Sequence, residues 1–303
     1  MQTTHHLVMI RPRTFAAGSP TAADNHFMES LPEQREQAVA ERARAEFDNY
    51  LRTLREAGLR VTVLDDRPDV DTPDSTFPNN WFSTHEDGLF VTYPLAWEAR
   101  RRERRPDLLE VLDQDHYIKR TLALEHWEDG GRILEGTGSL VLDRVHRIAY
   151  CCYSDRATPE ALRDWCDAMD YQEMGFRAVD SSGQPIYHTN VMLAVGTNVA
   201  IVCLESIPDP DQRYAVTTSL ESTGKRVVKI SLAQMAEFAG NVLEVRTPQG
   251  PAWVMSSTAY HALSEQQLAA LGAPVIHAPL PTIEQYGGGS ARCMIAEVFL
   301  PER

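Results

Sequence analysis

The 303-residue sequence predicts an α/β fold of five repeated units closed into a ring, a five-bladed α/β propeller. Three observations carry that prediction: strand–turn–strand segments recur about every 50 residues, helical stretches separate them, and the last segment lacks a partner strand. The four full hairpins are NWFSTHEDGLFVTYPL from Asn80, SLVLDRVHRIAYCCYS from Ser139, NVMLAVGTNVAIVCLESI from Asn190 and NVLEVRTPQGPAWVMSS from Asn241. Their turns carry Glu86-Asp87-Gly88, Gly196-Thr197-Asn198 and Pro248-Gln249-Gly250, the residue types that chain reversals need. The fifth segment, SARCMIAEVFLP from Ser290, stands alone, and the opening HLVMIRP supplies its partner if the ring closes.

Each hairpin is followed by a helical pattern and then a short apolar run. PEALRDWCDAMDY precedes FRAVD, and EQQLAALG precedes APVIHAPL. The stretch from Glu33 to Ala57 repeats the pattern on a longer scale before LRVTVLD. Such units bury their apolar faces only against one another, as repeat architectures do. No Pro/Ser/Gly-rich linker interrupts them, so residues 1–303 read as a single catalytic domain.

Composition narrows the function. Apolar content of 43% and charged content of 24% are those of a soluble globular protein. No apolar run reaches the roughly 18 residues of a membrane span, and the N-terminal residues lack the features of a secretory signal. A net charge of -14 opposes binding to nucleic-acid phosphates. The basic run Arg100–Arg105, interrupted by Glu103, reads as a solvated helix start, with a substrate-carboxylate clamp at Arg101 as the alternative. Cys151, Cys152, Cys166, Cys203 and Cys293 are odd in number and form no CxxC pair. Neither disulfides nor zinc is suggested, and a reduced cytoplasmic compartment fits. Homo-oligomerisation is left open.

The chemistry begins at Gly287-Gly288-Gly289, which leads through Ser290, Ala291 and Arg292 to Cys293. The apolar residues that follow read as a final strand, so Cys293 is expected as a thiol held on a rigid element and reached through a glycine turn. Polar residues recur at the other hairpin starts: Asp74, Asn79 and Asn80 in the first unit, Glu135 before the second, His188 and Asn190 in the third, Asn241 in the fourth. In a ring these positions converge near the axis. A free thiol with a pKa of about 8.5 needs a proton acceptor to act as a nucleophile near neutrality. His188 is the candidate acceptor and Glu135 its candidate partner. The segment Phe15 to Phe27 reads as a loop and a candidate lid. No HExxH, Walker or dinucleotide-binding motif is present, since Gly136-x-Gly138 continues into a strand.

PDSTFPNNWFSTH (73–85), LEGTGSLVLDR (134–144), SDRAT (154–158), HTN (188–190), GN (240–241) and GGGSARCM (287–294) occur in this order. Together they resemble the guanidino-group-modifying, pentein-fold superfamily of arginine deiminase and dimethylarginine dimethylaminohydrolase. The arginine-deiminase-related citrulline-utilisation hydrolases are the most similar branch. The resemblance implies a reaction without metal or cofactor on a small amino-acid substrate. It implies Cys293 as nucleophile, His188 as general acid/base and Glu135 as the group that orients His188 or binds substrate nitrogen. It assigns Arg156 to the substrate α-carboxylate, with Arg101 a second candidate.

One departure bears on the substrate. Arginine deiminases grip the guanidinium with two aspartates, one in the first hairpin and one two positions beyond the catalytic histidine. The second position here is Asn190. The first falls on Asn80, or on His85 if FSTH sets the alignment. A guanidinium is all donor and positive, whereas a neutral ureido group has both a donor and an acceptor, as Asn does. The exchange points to citrulline. Asp74 stays near the site as the acid that keeps arginine or methylarginine open as alternative substrates. A non-catalytic pentein, such as translation initiation factor 6, is the reading from another class.

Overall fold

The computed structural model describes residues 1–13, 25–29 and 36–303. These residues form five three-stranded sheets. The first holds Phe82–Thr84, Leu89–Thr92 and Arg120–Ala123, and the second Val141–Asp143, Ile148–Cys152 and Gln172–Phe176. The third holds Leu193–Val195, Val199–Val202 and Arg226–Lys229, and the fourth Leu243–Thr247, Gly250–Ser256 and Val275–Ala278. In all four the first two strands are an antiparallel hairpin, and the third returns parallel to the second after a helical crossover.

The fifth sheet joins the two ends of the chain. Ala296–Glu297 pairs antiparallel with His6–Arg11, which pairs parallel with Arg60–Asp65. Leu7 faces Glu297 on one side and Val61 on the other. Neighbouring sheets then touch all the way round. Val141–Asp143 lies against Leu193–Val195, and that strand against Leu243–Thr247. Ala296–Glu297 lies against Phe82–Thr84, while Gly136–Ser139 bridges the first and second sheets. Leu7, Met9, Val245 and Val254 share one apolar cluster, which links the fourth sheet to the fifth. The five-blade, pseudo-fivefold arrangement expected from the repeat is present.

Local chemistry explains the outer helices. Glu36–Glu56 buries Val39, Ala43, Phe47, Tyr50 and Leu54, an inward stripe at helical spacing. Pro159–Met169 starts with Pro159 in its first turn and with Thr158 accepting from the Ala161 N–H. Asp209 caps Pro210–Ser222, and Ser231 and Ser264 form capping boxes with Gln234 and Gln267. No helix among the described residues is long and apolar enough to cross a membrane.

Three expectations need correction. The last strand covers only Ala296–Glu297, and Cys293 lies in the preceding turn, where its N–H donates to Ser290 O at 3.0 Å. Turn hydrogen bonds consume the backbone there, so strand pairing starts late. The run Arg100–Arg105 is not wholly solvated, because Arg100 is buried against Glu103. The strand expected at FRAVD lies earlier, at Gln172–Phe176, where it finds register with Ile148–Cys152. Of the candidate lid, residues 15–24 lie outside the described residues. Asn25 is in place, with Nδ2 donating to Gly288 O at 3.1 Å.

Candidate active site

Each sheet is entered through a tight turn at the same end of its first strand. These are the 3-10 turn Pro78–Asn80, the helical turn Gly136–Ser139, the 3-10 turn Thr189–Val191, a turn in which Asn241 N donates to Phe238 O, and the turn holding Cys293. Repetition of the turn brings side chains distant in sequence to one axis. They line a small cleft walled by Asp74, Asn80, Arg100, Arg156, His188 and Cys293. Asn25, Phe77, Tyr187 and Gly287–Gly289 complete its wall.

Glu135 and His188 precede adjacent turns and meet fully buried, Oε2 to Nε2 at 2.8 Å. Burial opposes ionisation of Glu135, but the His188 hydrogen bond, Arg156 and Arg100 outweigh it and bring the carboxyl down to about 2. Arg156 stands 3.7 Å from Oε2, and the Ala96 N–H donates to Oε1 at 3.0 Å. The buried charge is therefore matched by donors. Burial also lowers the pKa of His188, against the pull of Glu135. An ionised Glu135 only accepts, so Nε2 carries the ring proton and Nδ1 is the basic nitrogen.

Gly138 explains how the ring fits. A Cβ at that position would lie 2.4 Å from the Asn80 amide and 2.8 Å from His188 Nδ1, so only glycine lets both groups approach the second turn.

Cys293 Sγ meets two amides, Asn241 Nδ2 at 3.1 Å and Asn190 Nδ2 at 3.5 Å. The glycine run is the end of the helix Pro281–Gly287. Gly288 caps it with φ +60°, where a Cβ would strike the Asn25 amide at 2.4 Å. Glu284 of that helix accepts from Ser290 Oγ at 2.6 Å and Thr258 Oγ1 at 2.7 Å, pinning the segment between the glycines and the cysteine.

On the first-sheet side, Arg100 forms a bidentate pair with Glu103 at 3.0 and 2.8 Å and donates to Phe77 O at 3.2 Å. With the Asn80 amide oriented to satisfy its neighbours, Oδ1 accepts from Arg100 at 2.6 Å and Nδ2 donates to Asn79 Oδ1 at 3.0 Å.

The structure brings together Cys293, His188, Glu135, Arg156, Asp74, Asn80 and Asn190. Asn79 is buried behind Asn80 and does not line the cavity. Arg101 is a correction. It is about a third exposed, bound to Leu95 O, Ala96 O and Glu128, and its neighbour Arg100 lines the cavity instead. The helical turn Glu98–Arg101 turns residue 100 inward and residue 101 along the surface. His85, bonded to Ser83 Oγ at 3.0 Å, also lies away from the cavity, which leaves Asn80 in the aspartate-like position. Sequence reasoning missed Arg100 and gave Asn241 no task. The signal for Arg100 was Glu103, an acid at i+3 inside a basic run. Among the described residues no group of three or more His, Cys, Asp or Glu could hold a metal ion.

Comparison with known proteins points the same way. No curated protein matches the sequence. Among solved structures, the N-terminal domain of ArgZ, an arginine dihydrolase from the ornithine–ammonia cycle in cyanobacteria, is similar with a TM-score of 0.75 at 18% identity. The match covers 98% of this chain and 99% of that domain. AgrE in complex with L-arginine gives 0.76 at 18% identity, covering 98% of this chain and 40% of the longer AgrE chain. A dimethylarginine dimethylaminohydrolase in adduct with S-methyl-L-thiocitrulline gives 0.68 at 15% identity, over 98% of this chain and all (100%) of that one. At these identities the likeness establishes the shared fold. The family evidence comes from the sequence itself, since residues 11–300 match the family described as N,N dimethylarginine dimethylhydrolase, eukaryotic. This chain belongs to that family and is a guanidino-modifying hydrolase of the pentein superfamily.

Proposed function

We propose that the chain hydrolyses the ureido group of L-citrulline, giving ornithine, carbon dioxide and ammonia through a covalent adduct on Cys293. The observation that carries this reading is the pairing of a Cys–His–Glu set with an amide, Asn80, where a cation-binding site would have a carboxylate. Asn80 faces the cavity, and Asn190 lies at the sulfur.

Cys293 gives its proton to His188 Nδ1, and Sγ attacks the ureido carbon. The imidazolium, held by Glu135, protonates the substrate δ-nitrogen as the C–N bond breaks, and ornithine leaves. An S-carbamoyl cysteine remains. His188 then takes a proton from water, the hydroxide adds to the carbamoyl carbon, and the thiolate departs. Carbamic acid is released and decomposes to carbon dioxide and ammonia. Arg156 is placed to bind the α-carboxylate. The five cysteines are free thiols, which supports a reducing, cytoplasmic setting. The unbroken ring of sheets supports one propeller-like catalytic domain.

A second reading is hydrolysis of arginine or a methylarginine, with Asp74 facing the guanidinium. Asp74 in the cavity wall and the arginine dihydrolase activity named for ArgZ favour it. Separate incubation with citrulline, arginine and dimethylarginine, with ornithine and citrulline assayed as products, distinguishes the two. Citrulline turnover to ornithine is expected, with none in Cys293→Ala. Turnover of arginine to citrulline alone would end the citrulline reading.

A further inference from the structure

Asn241 is buried at 0% exposure and uses its whole side chain in four hydrogen bonds. Oδ1 accepts from Arg292 N at 3.1 Å and Cys293 N at 3.4 Å. Nδ2 donates to Asn190 O at 3.0 Å and contacts Cys293 Sγ at 3.1 Å. The amide orientation is unambiguous. Two backbone N–H groups can face only the oxygen, and a carbonyl can face only the nitrogen. The sulfur therefore meets an N–H. The neighbouring Arg292 guanidinium turns away, to Ile295 O at 2.8 Å and Glu297 at 2.9 Å.

We propose that Asn241 is a catalytic residue that donates to Sγ and holds Cys293 as the thiolate, both when the sulfur attacks and when it leaves. The inference rests on the reading of Cys293 as the nucleophile. A donor aimed at the charged form favours that form, and the same donor stabilises the thiolate as leaving group in the second step. The contacts of Oδ1 fix the turn that carries the cysteine, so one side chain both mounts and polarises the nucleophile.

The test is the rate of iodoacetamide alkylation of Cys293 across about pH 5 to about pH 10, with Cys293→Ala as the background for the other thiols. Asn241→Ser, neutral and too short to reach the sulfur, removes the donor without placing a charge beside it. It should raise the alkylation midpoint by at least about one pH unit, slow alkylation near pH 7 about tenfold, and lower kcat more than it raises KM. An unchanged midpoint in a variant that still unfolds cooperatively overturns the proposal. If Asn241→Ser does not fold, Asn241→Ala decides by the same midpoint. Turnover retained in Cys293→Ala would instead overturn the nucleophile reading itself.

Discussion

Asn80 and Asn190 both sit in three-residue 3-10 turns that open a sheet, Pro78–Asn80 in the first and Thr189–Val191 in the third, and both are buried. Their surroundings differ. Asn190 has its backbone carbonyl on Asn241 and its amide at Cys293 Sγ. Asn80 has its oxygen on Arg100, its nitrogen on Asn79, and the cavity in front of it. On the proposed function, one amide serves the nucleophile and the other faces the substrate. Asn80 ends its turn and Asn190 is the middle residue of its own, so the same residue type at neighbouring places in two similar turns has different surroundings, and exchange for aspartate should separate them.

The largest effect is expected for Asn190→Asp. A carboxylate would then stand about where the amide atoms lie now, 3.5 and 3.8 Å from Sγ. Two like charges about 4 Å apart cost about 4 kcal/mol at an effective dielectric of 20. Turnover of every substrate should fall by at least about 100-fold with the substrate ranking unchanged. Asn80→Asp should act differently, because Arg100 compensates the new charge and the carboxylate faces the cavity. Citrulline kcat/KM should fall about tenfold while that of arginine rises, a difference of at least 1.4 kcal/mol or so in relative transition-state binding. Parallel losses with no change in ranking would erase the distinction between the two turns.

The same two sheets also bury histidines, and acid should reveal the difference more gently. Burial, with Arg144 adding to it, pushes His85 down to about 3, and no contacting carboxylate offsets it as strongly as Glu135 does for His188. His6 is likewise brought to about 3 by burial, with Arg60 next. These rings are neutral in the folded protein and protonate in the unfolded chain below its ordinary value of 6.5. The unfolded state then holds more protons, so stability falls with acid. Each ring removes about 1.4 kcal/mol per pH unit between roughly pH 6.5 and pH 3. Thermal unfolding at a series of pH values should show a shallower acid decline in His85→Gln than in wild type. Identical slopes would show that His85 does not drive the loss.

The fold was legible because its signals are local: alternating apolar strands, glycine and asparagine turns, and helices with caps. The short final strand was not. Six apolar residues after Cys293 look like a strand, but the backbone from Ser290 to Ile295 bonds within turns before sheet pairing begins. Cys293, His188 and Glu135 could be singled out together because each stands at a repeat boundary. The substrate side was harder to read. Asn79 and Asn80 are adjacent and identical in type, and only the turn decides which faces the cavity. Asn241 was visible as a hairpin start, yet its task depends on a sulfur 52 positions away.

Arg100 and Arg101 show the same limit in one dipeptide, and Arg101→Ala should have the smallest effect of these variants. The Arg101 guanidinium bonds to Leu95 O at 2.8 Å and Ala96 O at 3.3 Å and pairs with Glu128 at 3.1 Å. Glu128 would still hold Arg104 and the Leu95 N–H after the change. A partly exposed ion pair contributes at most about 1 kcal/mol. Stability should therefore drop by no more than about that, with kcat/KM within about twofold of wild type. The coupling that remains runs through the backbone, since the Ala96 N–H supports Glu135 Oε1. Arg100→Ala would instead strand the buried Glu103 and cost about 3–5 kcal/mol. A tenfold rise in KM for Arg101→Ala, with stability intact, would restore the carboxylate clamp to Arg101 and require the arginine side chains to rearrange when substrate binds.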